Sequence, residues 1–355
     1  MKIAIVTCYR QREYVRATTL RRGFAAARDV ELLDIRNSHL GLLRYIEVPI
    51  KIIKARLINK PEVYVITFRG YEMLLFMALT FTRRSLIFDE FINFTEWMEE
   101  HGRLKHGTYS YSIFRRLYAW LVKRCLIILA DTDAHANYSA EINNLPRSKY
   151  RIIPVGTDES IFKKIHDYHP TNKPFKVFYY GNMLPLHGLK YLLEAALVLK
   201  GLPEIEFIIV GGKTSAYNAC QAAINAGANI KYKSWIPLRQ IPMQAAEAGL
   251  SIGGPLGNTL QSKFVITGKT YQFLSLGVPV LIGRNEVNNI FKDKINSLVI
   301  PQADTTALVE AITWAQLHWD QLRTIGLAGN RLYQQHFSQA IINRQIQQII
   351  SHLSK

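Results

Sequence analysis

The sequence predicts an α/β protein made of two doubly wound parallel sheets joined in series. Its 355 residues suit two domains, and short apolar runs alternate with helical patterns along most of the chain. This alternation stops once, at Asp158–Pro174, which is rich in Lys, His, Asp, Asn and Pro, and then starts again. We therefore predict a first domain over 1–160, a linker over 161–172, a second domain over 173–336, and a C-terminal helix in 337–355 that could cross back to the first domain.

The first domain is predicted to contain six buried strands. Each is a β-branched run of four to seven residues bounded by polar or turn residues. The predicted strands are Ile3–Thr7, Val30–Leu33, Val63–Thr67, Ser85–Phe88, Ile127–Ala130 and Tyr150–Pro154. Helical patterns lie between them, near residues 16–27, 40–58, 70–81, 110–125 and 134–144. This repetition implies a parallel sheet with right-handed crossovers and helices on both faces.

The second domain repeats the same organisation. Its predicted strands are Phe175–Tyr180, Ile205–Val210, Asn229–Lys231, Leu250–Ile252, Pro279–Leu281 and Ser297–Ile300. Its predicted helices lie near residues 188–200, 215–226, 238–247, 267–276 and 304–320, and the chain after 327 is purely helical in pattern. Ligands of such sheets bind beyond the carboxyl ends of the strands, so two of these domains are expected to face each other across a shared cleft.

Composition and charge limit the class of protein. The chain is 48% hydrophobic and 20% charged, which excludes disordered and collagen-like proteins, and its three cysteines are too few for a disulfide framework or a structural zinc site. No apolar run reaches the length of a membrane span, so we expect a cytoplasmic protein. The net charge of +17 is spread over both halves and suits polyanionic partners: nucleic acid, anionic lipid or phosphorylated small molecules.

Two segments have the pattern of basic amphipathic helices. Residues 41–59 alternate apolar residues with cations, and residues 109–129 do so with Tyr and Trp added. Such helices can lie in the headgroup layer of an anionic membrane, which would make the protein peripheral on the inner face of the membrane. A helix packed on a sheet with a solvated basic face gives a similar pattern, and both readings stay open.

Charged residues follow the first, fourth and fifth strands of the first domain. The first strand is followed by three arginines, Arg10, Arg12 and Arg16. Their guanidinium groups present forked N–H donors that suit recognition of a phosphate or of an acceptor substrate, or the three residues form a solvated helix start. Asp89 and Glu90 are candidates to orient or deprotonate a hydroxyl, or to cap the next helix. Farther along the chain, we expect Asp131 to cap a helix and His135 to pack in the protein interior.

The loop from Gly181 to Gly188 follows the first strand of the second domain and precedes an amphipathic helix. Gly181 allows a tight turn, and the helix start offers N–H groups to an anion. A simple strand-to-helix connection is the alternative. The segments at 211–214 and 268–270 end like phosphate-binding loops but lack the full glycine turn, and no dinucleotide fingerprint follows the first strand, so nucleoside triphosphates and dinucleotide cofactors are disfavoured.

Several segments together resemble a known family. RIIPVGTDESIF, at 151–162, resembles the signature that closes the first domain of retaining glycosyltransferases of the GT-B fold. VFYYGNMLPLHGLKYLLEAALVL, FIIVGG and ITGKTYQFLSLGVPVLIGRN resemble the nucleotide-sugar-binding domain of that family. TCYRQREYVRATTLRRG, SLIFDEFIN and LADTDAHANYSAE are similar to the first domain of its group 4 members.

The resemblance implies transfer of a sugar from a nucleotide-diphosphate sugar (a UDP-, GDP- or ADP-sugar) to an acceptor hydroxyl, with retention and without a required metal. The implied role is that of a hexosyltransferase in the assembly of cell-surface polysaccharide or glycoconjugate. Its acceptor would be a glycan or a lipid-linked molecule. Asp89 and Glu90 would lie near the transferred sugar. The implied donor-binding residues are Gly181, Asn182, His187, Gly188, Gly211, Lys263, Lys269, Tyr271 and Gln272.

The sequence departs from the family at the diphosphate site. The family often has two glutamates eight residues apart, where this chain has Phe264 and Gln272, and His187 stands where a lysine is usual. Gln272 can still hydrogen-bond a ribose, because an amide both donates and accepts. A non-catalytic protein of the same fold that binds a nucleotide-sugar or a glycan is therefore the alternative. A nucleic-acid-binding protein is disfavoured, since the chain has no recognition motif for it.

Overall fold

The computed structural model describes residues 1–11, 14–81, 85–100, 102–169 and 173–353. The chain divides into two compact units. Unit 1 comprises Met1–Gly156 together with Gln339–Lys355, and unit 2 comprises Thr157–Ser338. Each unit has its own parallel sheet and its own apolar core, so each is described separately.

Unit 1 is built on a six-stranded parallel sheet with the strand order β2-β1-β3-β4-β5-β6. Its strands are β1 (Lys2–Thr7), β2 (Glu31–Arg36), β3 (Val63–Ile66), β4 (Leu86–Asp89), β5 (Ile127–Ala130) and β6 (Tyr150–Ile152). Its helices are α1 (Val15–Ala25), α2 (Arg44–Ile58), α3 (Tyr71–Thr80), α4 (Phe94–Glu100), α5 (Tyr109–Lys123), α6 (Asp133–Ile142) and, from the end of the chain, α13 (Gln339–Leu353). The central strands β3, β4 and β5 are buried throughout, because helices cover both faces of the sheet.

The two faces of this sheet have separate cores. One core joins the sheet to the inner sides of α2, α3, α5 and α6. The other joins it to α1 and α13, where Leu20 and Phe24 of α1 pack with Ile342 and Ile346 of α13. Gly23 of α1 lies directly against Ile346, since a Cβ there would come within 2.3 Å of the Ile346 Cδ1 atom. The last helix of the chain is therefore an integral part of unit 1.

Unit 2 is built on a second six-stranded parallel sheet, with the order β12-β11-β10-β7-β8-β9. Its strands are β7 (Phe175–Gly181), β8 (Ile205–Gly211), β9 (Ile230–Lys233), β10 (Leu250–Ile252), β11 (Val280–Gly283) and β12 (Leu298–Ile300). Its helices are α7 (Leu189–Val198), α8 (Thr214–Asn225), α9 (Ile241–Ala246), α10 (Gly268–Leu276), α11 (Thr305–Leu317) and α12 (Trp319–His336). From β7 the chain adds β8 and β9 on one side, and it then adds β10, β11 and β12 on the other side of β7, so the strand order reverses direction at β7.

The segment that follows Gly156 packs on unit 2. Phe162 is buried, and its carbonyl oxygen accepts a hydrogen bond from Ser275 Oγ at 2.9 Å. The Ile165 N–H donates to the Leu276 carbonyl, and the buried Tyr168 hydroxyl donates to the Ala248 carbonyl at 2.8 Å. Residues 157–169 thus have defined contacts with α10 and the end of α9, while 170–172 lie outside the described residues.

The predicted fold class is confirmed, and each of the twelve predicted strands overlaps an observed one. The helical assignment needed two corrections. Helix α4 was not predicted, because its seven residues, FTEWMEE, are too few to show a periodic pattern. The helix predicted near 304–320 ends at Leu317, and α12 already begins at Trp319, before the purely helical stretch predicted after 327. That stretch contains the rest of α12 and the whole of α13. Cys8, Cys125 and Cys220 are free and buried, as expected of small apolar residues.

None of the helices in the described residues combines the length and apolar character needed to cross a bilayer. Within those same residues, no cluster of three or more His, Cys, Asp or Glu side chains has the arrangement of a metal site.

Candidate functional site

The carboxyl ends of β7 and β8 form the floor of a candidate site in unit 2. Gly181 and Gly211 pair in register at the ends of these neighbouring strands. Gly211 has a φ of +103°, and a Cβ there would come within 2.4 Å of the Gly181 carbonyl oxygen. The neighbouring strand therefore excludes a side chain at position 211.

Helix α10 begins over this glycine edge. Thr267 is its N-cap: the Thr267 hydroxyl accepts from the Thr270 N–H and donates to the Gly253 carbonyl at 2.6 Å. The cap fixes the helix start to the loop after β10. The first N–H groups of a helix have no partner within the helix and form its positive end, so the start at Gly268 is suited to an anion.

Lys269, in the first turn of α10, extends over Gly181. A Cβ on Gly181 would be 3.8 Å from both Cδ and Nζ of Lys269. The side chain is only 5% exposed, and its ammonium lies 4.1 Å from the ring centre of Tyr179. Within the part of the chain that the structure describes, Nζ has no hydrogen-bond partner. Burial lowers the pKa of Lys269 from 10.5 to about 7. A buried amine without a partner is costly, and an anion at this place would supply the missing charge and acceptor.

His187 adds a second polar atom without a partner. Its Nδ1 is buried and makes no hydrogen bond with any of the described residues. Burial, followed by the positive charge of Lys269, lowers the pKa of His187 well below its usual range. The imidazole is therefore neutral near pH 7 and can donate from one ring nitrogen to a ligand oxygen.

The His187 loop is held in place by close packing at Gly188. Gly188 is in the left-handed region (φ +69°), and a Cβ there would come within 2.7 Å of Leu256 Cβ and 2.8 Å of the Gly257 nitrogen. The Gly257 N–H donates to the Leu186 carbonyl at 2.9 Å. Glycine is needed at 188 because both the backbone conformation and the approach of the 256–257 segment exclude a side chain.

The other residues of unit 2 predicted to bind the donor lie in varied environments. Gln272, one turn after Lys269 on α10, is half-buried and accepts a hydrogen bond from the Tyr180 hydroxyl. Asn182 is exposed in the loop after β7, and Lys263 is exposed on a single turn where its carbonyl accepts from the Glu286 N–H. Tyr271 is fully buried on the opposite side of α10, edge-to-face with Phe337 at 5.0 Å.

The structure thus brings together part of the predicted donor set. Gly181, Gly211, Lys269 and His187 meet at the end of β7, with Gly188 fixing the loop. Tyr271 does not join them, because its ring belongs to the core between α10 and the end of α12. The sequence pattern KTYQF does not show which residues face the donor site and which face the core. Tyr271 and Gln272 are adjacent in sequence but lie about 100° apart around the helix.

In unit 1, Arg16 and Asp89 form a buried ion pair. Both side chains are fully buried, with Arg16 Nε and Nη2 donating to Asp89 Oδ1 at 2.9 and 2.8 Å. Arg16 Nη1 donates to the carbonyls of Ile153 and Pro154, and Asp89 Oδ2 accepts from the Phe68 N–H. Burial raises the pKa of Asp89, and the charge of Arg16 opposes that rise. These contacts link α1, β4 and the segment after β6.

Glu90, the other carboxylate proposed from sequence, is also fully buried. Its oxygens accept from the hydroxyls of Tyr118 at 2.7 Å and Ser139 at 2.5 Å, and Asn143 lies at 3.5 Å. Burial raises the pKa of Glu90. This polar network joins β4 to α5 and α6. Of the three arginines, Arg10 is exposed, Arg16 is in the ion pair, and Arg12 lies outside the described residues.

Asp131 and His135 differ from the sequence expectation. The N-cap of α6 is Thr132, whose hydroxyl accepts from the His135 N–H, so Asp131 is not the cap. Asp131 Oδ1 instead pairs with His135 Nδ1 at 2.8 Å. Although burial opposes it, the hydrogen bond and charge of Asp131 raise the pKa of His135. Asp131 Oδ2 is buried and has no hydrogen-bond partner among the residues for which the structure gives a position.

Sequence reasoning missed an aromatic cluster at the carboxyl edge of unit 1. Tyr9, Tyr14, Phe68 and Phe91 follow or flank strands β1, β3 and β4, and their ring centres lie 4.9 to 6.2 Å apart. The guanidinium of Arg69 is 5.3 Å from the ring centre of Tyr9. The available signal was that aromatic residues occur immediately after three strands. Phe68 is buried, whereas Tyr9, Tyr14 and Phe91 are partly exposed and offer ring faces and, from the tyrosines, hydroxyl groups to a ligand.

Comparisons with known proteins agree with this architecture. Residues 174–316 match the family model described as glycosyl transferases group 1. The chain also resembles solved structures over nearly its whole length: HepE of Anabaena with UDP-glucose bound has a TM-score of 0.73 at 14% identity, covering 99% of this chain and 100% of that chain. Sucrose-phosphate synthase of Thermosynechococcus elongatus has a TM-score of 0.75 at 14% identity, covering 99% of each chain.

A glycosyltransferase from Rickettsia africae has a TM-score of 0.68 at 12% identity, covering 100% of this chain and 98% of that chain. No curated protein matches the chain in sequence. The resemblance to group 1 glycosyl transferases and the GT-B fold expected from it are confirmed.

Proposed function

Because residues 174–316 match group 1 glycosyl transferases and the whole chain has the GT-B fold, we propose that this protein transfers a sugar from a nucleotide-diphosphate donor to an acceptor hydroxyl. The observation that carries the proposal is the buried amine of Lys269, which lies without a partner over the glycine edge at Gly181. A diphosphate is the anion that this place suits, since it would meet the Lys269 ammonium, His187 and the start of α10 together.

The proposed chemistry depends on stabilising the leaving group. Negative charge builds up on the departing nucleoside diphosphate, and a preorganised cation and helix start lower the energy of that charge in a site shielded from water. Gln272 is assigned to a ribose hydroxyl, and Asn182 and Lys263 to the rim of the donor site. We assign Asp89, Glu90 and Arg16 to the framework of unit 1, since each is fully buried in internal contacts.

The donor is proposed to be a UDP-sugar. The HepE structures hold UDP-glucose, UDP and glucose, or UDP, and share the fold of this chain. From the sequence resemblance we also propose that the reaction retains the anomeric configuration and that the sugar transferred is a hexosyl group. We propose on the same basis that the protein is a group 4 member and takes part in polysaccharide or glycoconjugate assembly. For the acceptor we propose a glycan that stacks on the aromatic cluster of unit 1, because sugar rings present C–H faces to aromatic rings.

The first experiment measures donor binding by titration calorimetry with UDP-glucose, GDP-mannose and ADP-glucose. We expect saturable binding of the UDP-sugar and a loss of about 10- to 100-fold in affinity for Lys269→Met, since a hydrogen bond to a charged group contributes about 1.5–3 kcal/mol. Lys200→Met, which changes an exposed lysine of unit 2, is the matched control and should bind as the native protein does.

A transfer assay with glycan acceptors, read by NMR of the product's anomeric proton, then tests the reaction and its stereochemistry. Binding of the donor without transfer to any acceptor would favour the non-catalytic alternative. Equal affinity of the native protein and Lys269→Met for every nucleotide-sugar would remove the basis of the proposed donor site.

A further inference from the structure

Exposed large apolar side chains of unit 1 are concentrated on one face. In the part of unit 1 that the structure describes, all of them lie on α2, α3, α5 and the short turn before α2. In unit 2 the exposed apolar residues are scattered over loops and several helices. A contiguous apolar surface of this kind on a folded protein marks an interaction site rather than ordinary surface composition.

Helix α2 has two apolar stripes on opposite sides. Val48, Ile52 and Ala55 face the core of unit 1 and are buried. The second stripe faces solvent and repeats at helical spacing, with Leu57 as its most exposed member at 69%. Its members are Ile46, Ile50, Ile53 and Leu57. A helix that only packs on a sheet needs the first stripe alone, so the second has no explanation in the fold.

Helices α3 and α5 extend the same face. Both pack on the same side of the sheet as α2, so their outer sides face the same way. Leu75 and Leu79 are exposed on α3, while Ile113, Leu117 and Trp120 form an exposed stripe on α5. Tyr109 at the start of α5 is 81% exposed. Trp and Tyr at the rim of an apolar patch are typical of the interface between water and lipid.

Cations surround the apolar residues. Lys54 and Arg56 project from the two flanks of the α2 stripe, each roughly 70–90° from its centre at about 100° per residue. Arg115 and Arg116 are exposed on α5. Residues 40–60, 71–81 and 109–124 contain nine Lys and Arg but only two Glu. A crevice of about 460 Å³ beside α2 is lined in part by Arg36, Lys51 and Lys54.

We propose that this outer face of α2, α3 and α5, the α2–α5 face, docks on an anionic lipid bilayer. The aliphatic stripes would enter the boundary between headgroups and acyl chains, and the flanking cations would contact lipid phosphates. A second copy of the chain fits less well, because two faces with the same strong positive charge repel each other. Docking of this kind needs no spanning helix.

The test is co-sedimentation of the full chain with vesicles of phosphatidylcholine containing phosphatidylglycerol, compared with vesicles of phosphatidylcholine alone. We expect binding to the anionic vesicles that weakens as salt is added. The double variant Ile50→Gln with Leu57→Gln should lower the partition coefficient at least about tenfold, because two inserted aliphatic side chains are lost. Lys54→Gln with Arg116→Gln should lower it by about fivefold for each charge.

The matched control is Val198→Gln with Leu317→Gln, which changes two equally exposed aliphatic residues of unit 2 and should leave vesicle binding unchanged. Thermal unfolding should be alike in all variants, since each changed side chain is exposed. Failure to bind anionic vesicles, or binding that Ile50→Gln with Leu57→Gln does not weaken, would overturn the proposal. The proposal would also be overturned if the native protein did not bind vesicles but formed a dimer in sedimentation equilibrium, and if the variant Ile50→Gln with Leu57→Gln separated that dimer.

Discussion

Burial of the Lys269 amine favours its neutral form, whereas the proposed binding of a diphosphate favours its charged form. Burial lowers its pKa to about 7, so near neutral pH about half of the free protein has an uncharged amine at the proposed donor site. A bound diphosphate favours the charged form and raises the pKa. Binding above pH 7 therefore takes up a proton, and donor affinity falls as the pH rises through the free-state pKa.

We predict that affinity for a UDP-sugar is lower at about pH 8.5 than at about pH 6.5, by up to about tenfold per pH unit above 7. A nucleotide-sugar suits the measurement because its phosphate diesters do not titrate in this range. Calorimetry in two buffers of different ionisation enthalpy should show uptake of close to one proton at the higher pH. Lys269→Met should bind weakly with no such dependence, and a pH-independent native affinity would contradict the argument.

Arg16 provides a second prediction at the residue scale, and it concerns stability. Arg16→Ala leaves the carboxylate of Asp89 buried without its cation, so we expect the free energy of unfolding to fall by about 3–5 kcal/mol in urea denaturation. Arg16→Met combined with Asp89→Leu should recover much of that loss, because no charge is left buried. Arg10→Ala, at an exposed position, should change stability by less than about 0.5 kcal/mol.

A phosphate-binding role for Arg16, as the sequence suggested, makes a different prediction. It requires Arg16→Ala to keep native stability while losing affinity for the donor or the acceptor. The two roles are therefore separated by measuring unfolding and ligand binding on the same variant.

At the scale of elements, the donor site depends on how helix starts are attached to loops. Helix α10 is attached through its cap Thr267 to the Gly253 carbonyl, and α7 begins at Gly188 against Leu256. Both helix starts therefore rest on the one segment that follows β10. This shared support explains how residues from three separate parts of the sequence reach one place at the end of β7.

We predict that Gly188→Ala lowers the free energy of unfolding by about 2–5 kcal/mol, from left-handed backbone strain together with the clash against Leu256. Donor affinity should fall with it, since His187 precedes this residue. Gly201→Ala is the control: a Cβ there meets nothing within 4 Å, and the change should shift stability by less than about 1 kcal/mol. Native stability of Gly188→Ala would show that the 256–257 segment can move aside, contrary to the packing described.

At the scale of the whole molecule, the chain builds two units that are not consecutive in sequence. The last helix, α13, belongs to unit 1, because Ile342, Ile346, Ile349 and Ile350 complete the core over α1. The two units also differ in surface chemistry. Unit 1 has the α2–α5 face with its exposed aliphatic stripes, and unit 2 has the glycine edge with the buried amine.

The sequence by itself determined the fold class, the strands and the resemblance to group 1 glycosyl transferases. These depend on local signals: β-branched runs, turn residues and helical periodicity, which are all read along the chain. It also indicated Gly181 and Gly188, because glycines between a strand and a helix stand out from their neighbours, while His187 and Lys269 were indicated by the family resemblance. The two amphipathic segments of unit 1 were visible from their helical periodicity.

Only the tertiary structure decided which of these groups are buried, paired or left without a partner. Arg16, Asp89 and Glu90 looked available because they follow strands, yet long-range contacts with Ile153, Tyr118 and Ser139 enclose them. For Lys269 the sequence resemblance implied a donor-binding role, but its burial over Gly181 is a property of the tertiary structure alone. The free energy of a charge depends on its surroundings in three dimensions, and those surroundings come from residues far apart in the sequence.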